Sequence, residues 1–234
     1  MVNKNLTTVA FDADDTLWQN ERFFRLTEAR FAALLADYAE PDDLTARLLA
    51  AEKRNLSHYG FGIKGFTLSM IETAIEITEG RVPSSVLSEI LGAGREMLAH
   101  PVELLPGVEE TLGRIADSHR LVLITKGDLF DQERKLAASG LGELFAAVEI
   151  VSDKNPSTYR TAFEKHGDGP EKSMMVGNSL KSDIIPAIEV GSWGVYVPHA
   201  LTWSVEHADA PAEAPRFREV DVVTKVAGLI EEIG

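Results

Sequence analysis

The spacing of apolar positions changes twice along the chain. Val9 to Phe11 is a short apolar run, which predicts a strand, Thr7 to Phe11, buried on both faces. Over residues 19–100 the apolar residues recur instead at three- and four-residue intervals. Phe24, Phe31, Leu34, Leu35 and Tyr38 form one such series, and Leu44, Leu48 and Ala51 form a second behind Pro41. Met70, Ile71, Ala74, Ile75 and Ile77 form a third, and Val86, Leu87, Ile90, Leu91, Met97 and Leu98 a fourth behind Pro83-Ser84. These series predict four helices with short connections and no strand between them, a small bundle. A glycine-punctuated turn, Tyr59 to Phe66, separates the second from the third.

From Pro106-Gly107 onward, short apolar runs alternate with amphipathic segments. Helices are predicted through Val108–Ile115 and near residues 128–139, 157–165 and 183–190. They precede the runs Leu121–Ile124, Ala146–Val151, Ser173–Val176 and Gly194–Val197, respectively. Strands separated by helices imply an α/β fold, a parallel sheet with helices on both faces. The first strand belongs with these four, so residues 1–18 and 101–234 are expected to form one core. Residues 19–100 are then an inserted all-helical domain. The Ala- and Pro-rich stretch 208–215 reads as a surface loop before a last short strand and helix.

Composition narrows the functional classes. A net charge of -14 argues against general affinity for nucleic acid or anionic membranes, although local cations could still hold a small anionic substrate. The chain has no cysteine, hence no disulfide, thiolate metal site or thiol nucleophile. No signal-like start and no apolar run approaching about 18 residues is present, so a cytoplasmic location is expected. Oligomeric state leaves no trace in the pattern.

The chemistry gathers where the strands end. In an open parallel sheet, the residues just past the carboxyl ends of the strands face a shared crevice. The first strand runs straight into Asp12-Ala13-Asp14-Asp15-Thr16. Like charges packed there need a compensating cation or proton. The second strand delivers Thr125-Lys126-Gly127, Lys154 follows the third, and the fourth delivers Gly177-Asn178-Ser179 with Asp183 beyond. Two acids, a hydroxyl, a cation and an amide with a further acid suit phosphoryl transfer, which needs a positioned nucleophile and charge neutralisation.

In these residues the sequence resembles the haloacid dehalogenase superfamily. Asp-x-Asp-x-Thr after an apolar strand is met by Val9 to Thr16, and a strand ending in Thr or Ser by Leu121 to Thr125. A lysine follows as Lys154, and Gly-Asp-x-x-x-x-Asp stands as Gly177-Asn178-Ser179-Leu180-Lys181-Ser182-Asp183. The resemblance implies a Rossmann-like core and a helical cap that closes over the site and selects substrate. It also implies a Mg²⁺-dependent phosphatase acting on a small phosphorylated metabolite through an aspartyl-phosphate.

Carried over by position, Asp12 would be nucleophile and metal ligand. Asp14 would be acid and then base, with its main-chain carbonyl on the metal. Thr125 would bind a phosphate oxygen, and Lys154 would neutralise charge on the phosphoryl group and Asp12. An acid at the position of Asp14 favours phosphate esters over carbon–halogen bonds. Asn178 stands where the family often has aspartate, bringing an oxygen but no charge. Either Asn178 binds the metal directly with Asp183 behind it, or Asp183 takes the larger share through water. Asp15 reads as a turn acid, Lys126 as an exposed side chain, and His199 and Trp203 as possible rim residues. In the inserted domain, Lys64 could meet an anionic part of the substrate, and Phe61 or Phe66 could form an apolar wall. A phosphomutase would use the same motifs, and Asn178 is the one feature that would suit a non-catalytic phosphate-binding protein.

Overall fold

The computed structural model describes residues 6–233. It contains six strands in one sheet: β1 (Thr8–Phe11), β2 (Arg120–Lys126), β3 (Ala147–Val151), β4 (Ser173–Gly177), β5 (Trp193–Tyr196) and β6 (Phe217–Glu219). All pairings are parallel, in the order β3-β2-β1-β4-β5-β6. This is the Rossmann-like α/β sheet expected from the alternation of short strands and helices.

The helices are α1 (Glu21–Leu34), α2 (Pro41–Tyr59), α3 (Ile63–Ile77), α4 (Ser84–Ala99), α5 (Val108–Ala116), α6 (Leu129–Ser139), α7 (Pro156–His166), α8 (Ile185–Glu189) and α9 (Val226–Ile233). The chain divides into two compact units, one of the residues up to Glu21 and from Val102 onward, the other Arg22–Pro101.

In the sheet unit, alternate strand residues enter opposite cores. Val9, Phe11, Leu121, Leu123, Met174, Val176 and Val195 pack with Val108, Leu112, Val226 and Ile230 from α5 and α9. Ala10, Val122, Ile124 and Met175 pack on the other face with Tyr159, Phe163 and Ala187 from α7 and α8. A strand covered on both faces has no polar side, which is why these runs are continuously apolar. Because the strand order reverses between β1 and β4, the connections leaving their carboxyl ends part there and open a crevice.

The helical unit has its own core, built on Phe31, Leu35, Leu44, Leu48, Ile63, Phe66, Met70, Ala74, Ile90 and Met97. The turn before α3 is shorter than the glycine pattern suggests, because Gly60 and Gly62 carry the positive φ values and helix resumes at Ile63. Phe66 is consequently a helix residue in that core, only 3% exposed, and Phe24 rests on it with ring centroids 5.0 Å apart.

Candidate active site

The site is assembled at the carboxyl ends of β1, β2, β3 and β4. The chain leaving β1 turns sharply at Asp15, whose φ is +58°, and Trp18 returns to bridge with Asp14. Asp15 is not a solvated turn acid. It is buried and accepts the main-chain N–H groups of Asn20 and Glu21 at 2.9 Å and 3.0 Å. Burial pushes its carboxyl up to about 6, with the Asn20 N–H and nearby His199 pulling it back. His199 Nδ1 lies 3.7 Å from Asp15 Oδ1 and is hydrogen-bonded to the Leu201 carbonyl at 2.8 Å.

Asp12 and Lys154 meet at the centre. Lys154 Nζ donates to Asp12 Oδ1 at 2.5 Å and to Asp183 Oδ1 at 2.6 Å. Lys154 emerges after β3, immediately before Asn155, which caps α7 by accepting the Thr158 N–H. Its side chain is 2% exposed, and two of the three ammonium N–H donors go to the two carboxylates. Burial alone would lower the Lys154 pKa, but Asp12 and Asp183 outweigh it and the ammonium stays charged. Burial pushes Asp12 up to about 7; Lys154 pulls it back, while Asp183 and Asp14 push it further.

Both oxygens of Asp183 accept a hydrogen bond. Its Oδ2 accepts the Ser179 N–H at 2.9 Å, and its Oδ1 is held by Lys154. The connection from β4 makes this possible with a wide π-type turn over Leu180–Ile184 in place of the regular helix start expected at Asp183. A Cβ on Gly177 would stand 2.3 Å from Asp183 Oδ2, so only glycine lets this carboxylate approach the end of β4.

Asn178 faces the other side of Asp12. One terminal carboxamide atom lies 3.2 Å from each of Asp12 Oδ2, the Asp14 carbonyl oxygen and Thr16 Oγ1. With the amide nitrogen turned in, its two protons are shared among these three acceptors. With the oxygen turned in, Thr16 donates to it, and the Asn178, Asp12 and Asp14 oxygens converge as acceptors. Three oxygens of this kind suit a hard cation, for which oxygen ligands are the rule. Among the described residues, no three acidic, histidine or cysteine side chains form such a cluster. The converging oxygens are a carboxylate, a main-chain carbonyl and an amide.

Thr125, at the end of β2, is 1% exposed, and its hydroxyl accepts from Gln132 Nε2 at 2.5 Å. Asp14 accepts from Trp18 Nε1 at 2.8 Å and Lys135 Nζ at 2.6 Å on Oδ1, and from Gln132 at 3.2 Å on Oδ2. Lys126, expected to be exposed, is instead largely buried at 12% side-chain exposure. It donates to Glu206 at 2.7 Å and to Ser182 at 3.0 Å.

Gln132, Lys135 and Glu206 were outside the sequence reading. The first two carried a readable signal, because α6 reverses the usual pattern. Leu129 and Phe130 are 59% and 68% exposed while Asp131, Gln132 and Lys135 point inward. Glu206 lies in a loop with no period to betray it.

The parallel α/β sheet carries an acidic loop after its first strand that faces a buried lysine, and comparison with known proteins identifies the family. The model of the haloacid dehalogenase-like hydrolases matches residues 6–191, and the chain belongs to that family. A haloacid dehalogenase-like hydrolase of known structure from Xanthomonas campestris is 43% identical. That match covers 98% of this chain and 92% of the other, with a TM-score of 0.87. The glyceraldehyde 3-phosphate phosphatase of Methanothermobacter thermautotrophicus is 26% identical over 211 residues, 84% of this chain and 88% of that protein. The HAD-hydrolase YfnB from Bacillus subtilis, in a magnesium-bound structure, shares the fold at 16% identity. Its TM-score is 0.66, with coverage of 97% of this chain and 99% of YfnB.

Proposed function

We propose that this phosphatase of the haloacid dehalogenase-like family hydrolyses a small phosphorylated metabolite through an aspartyl-phosphate on Asp12, with Mg²⁺ as cofactor. The observation that carries the reading is the division of labour around Asp12. One of its oxygens is held by Lys154 at 2.5 Å, and the other looks toward the Asp14 carbonyl and Asn178. A carboxylate gripped at one oxygen and open toward a cation position is oriented for attack on phosphorus.

In this reading Asp12 Oδ2, the Asp14 carbonyl and the Asn178 carboxamide oxygen would hold Mg²⁺, which would supply positive charge to the transferring group. On this assignment Asp183 stands behind Asn178 and holds Lys154, with its other oxygen accepting the Ser179 N–H. Asp12 attacks phosphorus as Asp14 gives a proton to the departing oxygen. Asp14 then removes a proton from the water that attacks the aspartyl-phosphate, and phosphate leaves. Thr125 and Lys154 hold phosphate oxygens through both steps. The substrate class is supported by the phosphatase from M. thermautotrophicus and by the chain's own ligand set; at 26% identity the particular metabolite is left open.

The test is turnover of p-nitrophenyl phosphate with Mg²⁺, with a chelator, and by Asp12→Asn. Turnover should require the metal and fall to background in the variant, a loss of at least about 10³-fold for a missing nucleophile. Absence of metal-dependent turnover on every phosphate ester in a panel of small phosphorylated metabolites would overturn the assignment.

A further inference from the structure

We propose that Gln132 and Lys135 of α6 are positioning residues that aim Asp14 at the leaving group and tie its placement to Thr125, an inference that rests on Asp14 being the acid of the preceding reaction. Asp14 stands in a loop just past β1, and nothing within that loop except the Trp18 indole N–H reaches its carboxylate. The remaining contacts come from α6, more than a hundred residues further along the chain: Lys135 at 2.6 Å and Gln132 at 3.2 Å.

Both side chains sit where a helix packed on a sheet ordinarily places apolar residues. Gln132 is 2% exposed and the Lys135 side chain 10% exposed, while Leu129 and Phe130 face outward. Burying an amide and an ammonium is costly unless each finds partners, and here the partners are site residues.

Gln132 does this with one nitrogen. Its Nε2 carries two protons, directed to Thr125 Oγ1 at 2.5 Å and Asp14 Oδ2 at 3.2 Å, with the Lys126 carbonyl a weaker share at 3.4 Å. In its ionised form the Asp14 carboxylate only accepts, and in that state the Gln132 nitrogen is the atom that faces it. The Thr125 oxygen, by accepting from Gln132, keeps its own proton for an anion, which is the direction a phosphate-binding hydroxyl needs. A single amide therefore sets both the phosphate-facing proton of Thr125 and the direction of the Asp14 carboxylate. Lys135 anchors the opposite edge of that carboxylate and also reaches Asn20 Oδ1 at 3.4 Å and Asp131 at 3.9 Å.

A merely structural role would lower activity on all esters alike, whereas a role in aiming the acid scales with the leaving group's need for a proton. The experiment compares kcat/KM for phenyl phosphate and p-nitrophenyl phosphate in the full-length wild type, Gln132→Met, Lys135→Met and Asp14→Asn, with thermal melting of each. Expected losses in the two helix variants are about 100-fold on phenyl phosphate and about tenfold on p-nitrophenyl phosphate, the size of a misplaced acid. Asp14→Asn should show the same skew more strongly. Equal losses on both esters, or no loss, in a folded variant would overturn the proposal. Should one helix variant not fold, the other carries the test, and Lys135→Arg, which keeps the charge but replaces the compact ammonium with a longer planar fork, is a third. If wild type turns over neither these esters nor any phosphate ester of the metabolite panel, the proposed reaction fails and this inference with it. A skew in Asp14→Asn that is missing from every folded helix variant defeats the positioning role alone.

Discussion

Asn178 is the residue at which this site departs most from a set of carboxylates, and the consequence is electrostatic. Asp12, Asp14 and Asp183 already stand against Lys154 and Lys135, and a fourth carboxylate at residue 178 would face Asp12 Oδ2 and the Asp14 carbonyl at 3.2 Å with no proton to give. The amide avoids this, because it can turn its nitrogen inward as a donor or its oxygen inward as a ligand. Asn178→Asp should therefore bind Mg²⁺ more tightly, because it adds charge to the ligand set, and should melt at lower temperature in a chelator. Both are read from thermal melts over a Mg²⁺ titration. Unchanged or weaker Mg²⁺ affinity would remove Asn178 from the ligand set.

At the scale of elements, the site depends on how closely the turn after β4 approaches the strand end. Gly177 has no Cβ, and a methyl group there would lie 2.3 Å from Asp183 Oδ2 and 2.7 Å from Asp183 Cβ. Gly177→Ala should thus drive Asp183 off Lys154 and the Ser179 N–H. The expected result is a fall in kcat of at least about tenfold, with destabilisation on the order of 1–3 kcal/mol from overpacking; activity close to wild type would show that Asp183 can yield without disturbing Lys154. What could be read in advance follows from the same elements. Strands covered on both faces announce themselves as apolar runs, and so the sheet and the positions at its strand ends were legible. The wide turn over Leu180–Ile184 was not, because its width comes from seating Asp183 against Gly177, a tertiary contact with no local period. The inward Gln132 and Lys135 were legible in principle, as polar residues on what should be the packed face of α6.

For the whole chain, the site is a meeting of segments far apart in sequence, and Glu206 shows what that costs and contributes. From a loop beyond β5 it accepts from Lys126 at 2.7 Å, from the Ser179 hydroxyl at 2.7 Å and from the Ser182 hydroxyl, tying the ends of β2 and β4 together. Burial would raise its pKa. Lys126 and the two hydroxyls outweigh burial and hold the carboxyl below the ordinary glutamate range. The sign of the pH effect follows: a carboxyl with a lowered folded pKa contributes stability that is complete above its unfolded value. That contribution is lost as pH falls through the folded one. Glu206→Gln keeps the size and leaves an acceptor for the serines, but it removes the charge opposite Lys126, at a cost on the order of 1–3 kcal/mol. The variant should melt a few degrees below wild type at pH 7, at roughly 2–4 °C per kcal/mol for a chain of this size. The gap should stay constant down to about pH 5 and then close as the wild-type carboxyl takes up its proton. Paired melting curves across that range decide the matter, since a gap equally wide at pH 7 and below pH 4 would mean that Glu206 acts by shape and not by charge.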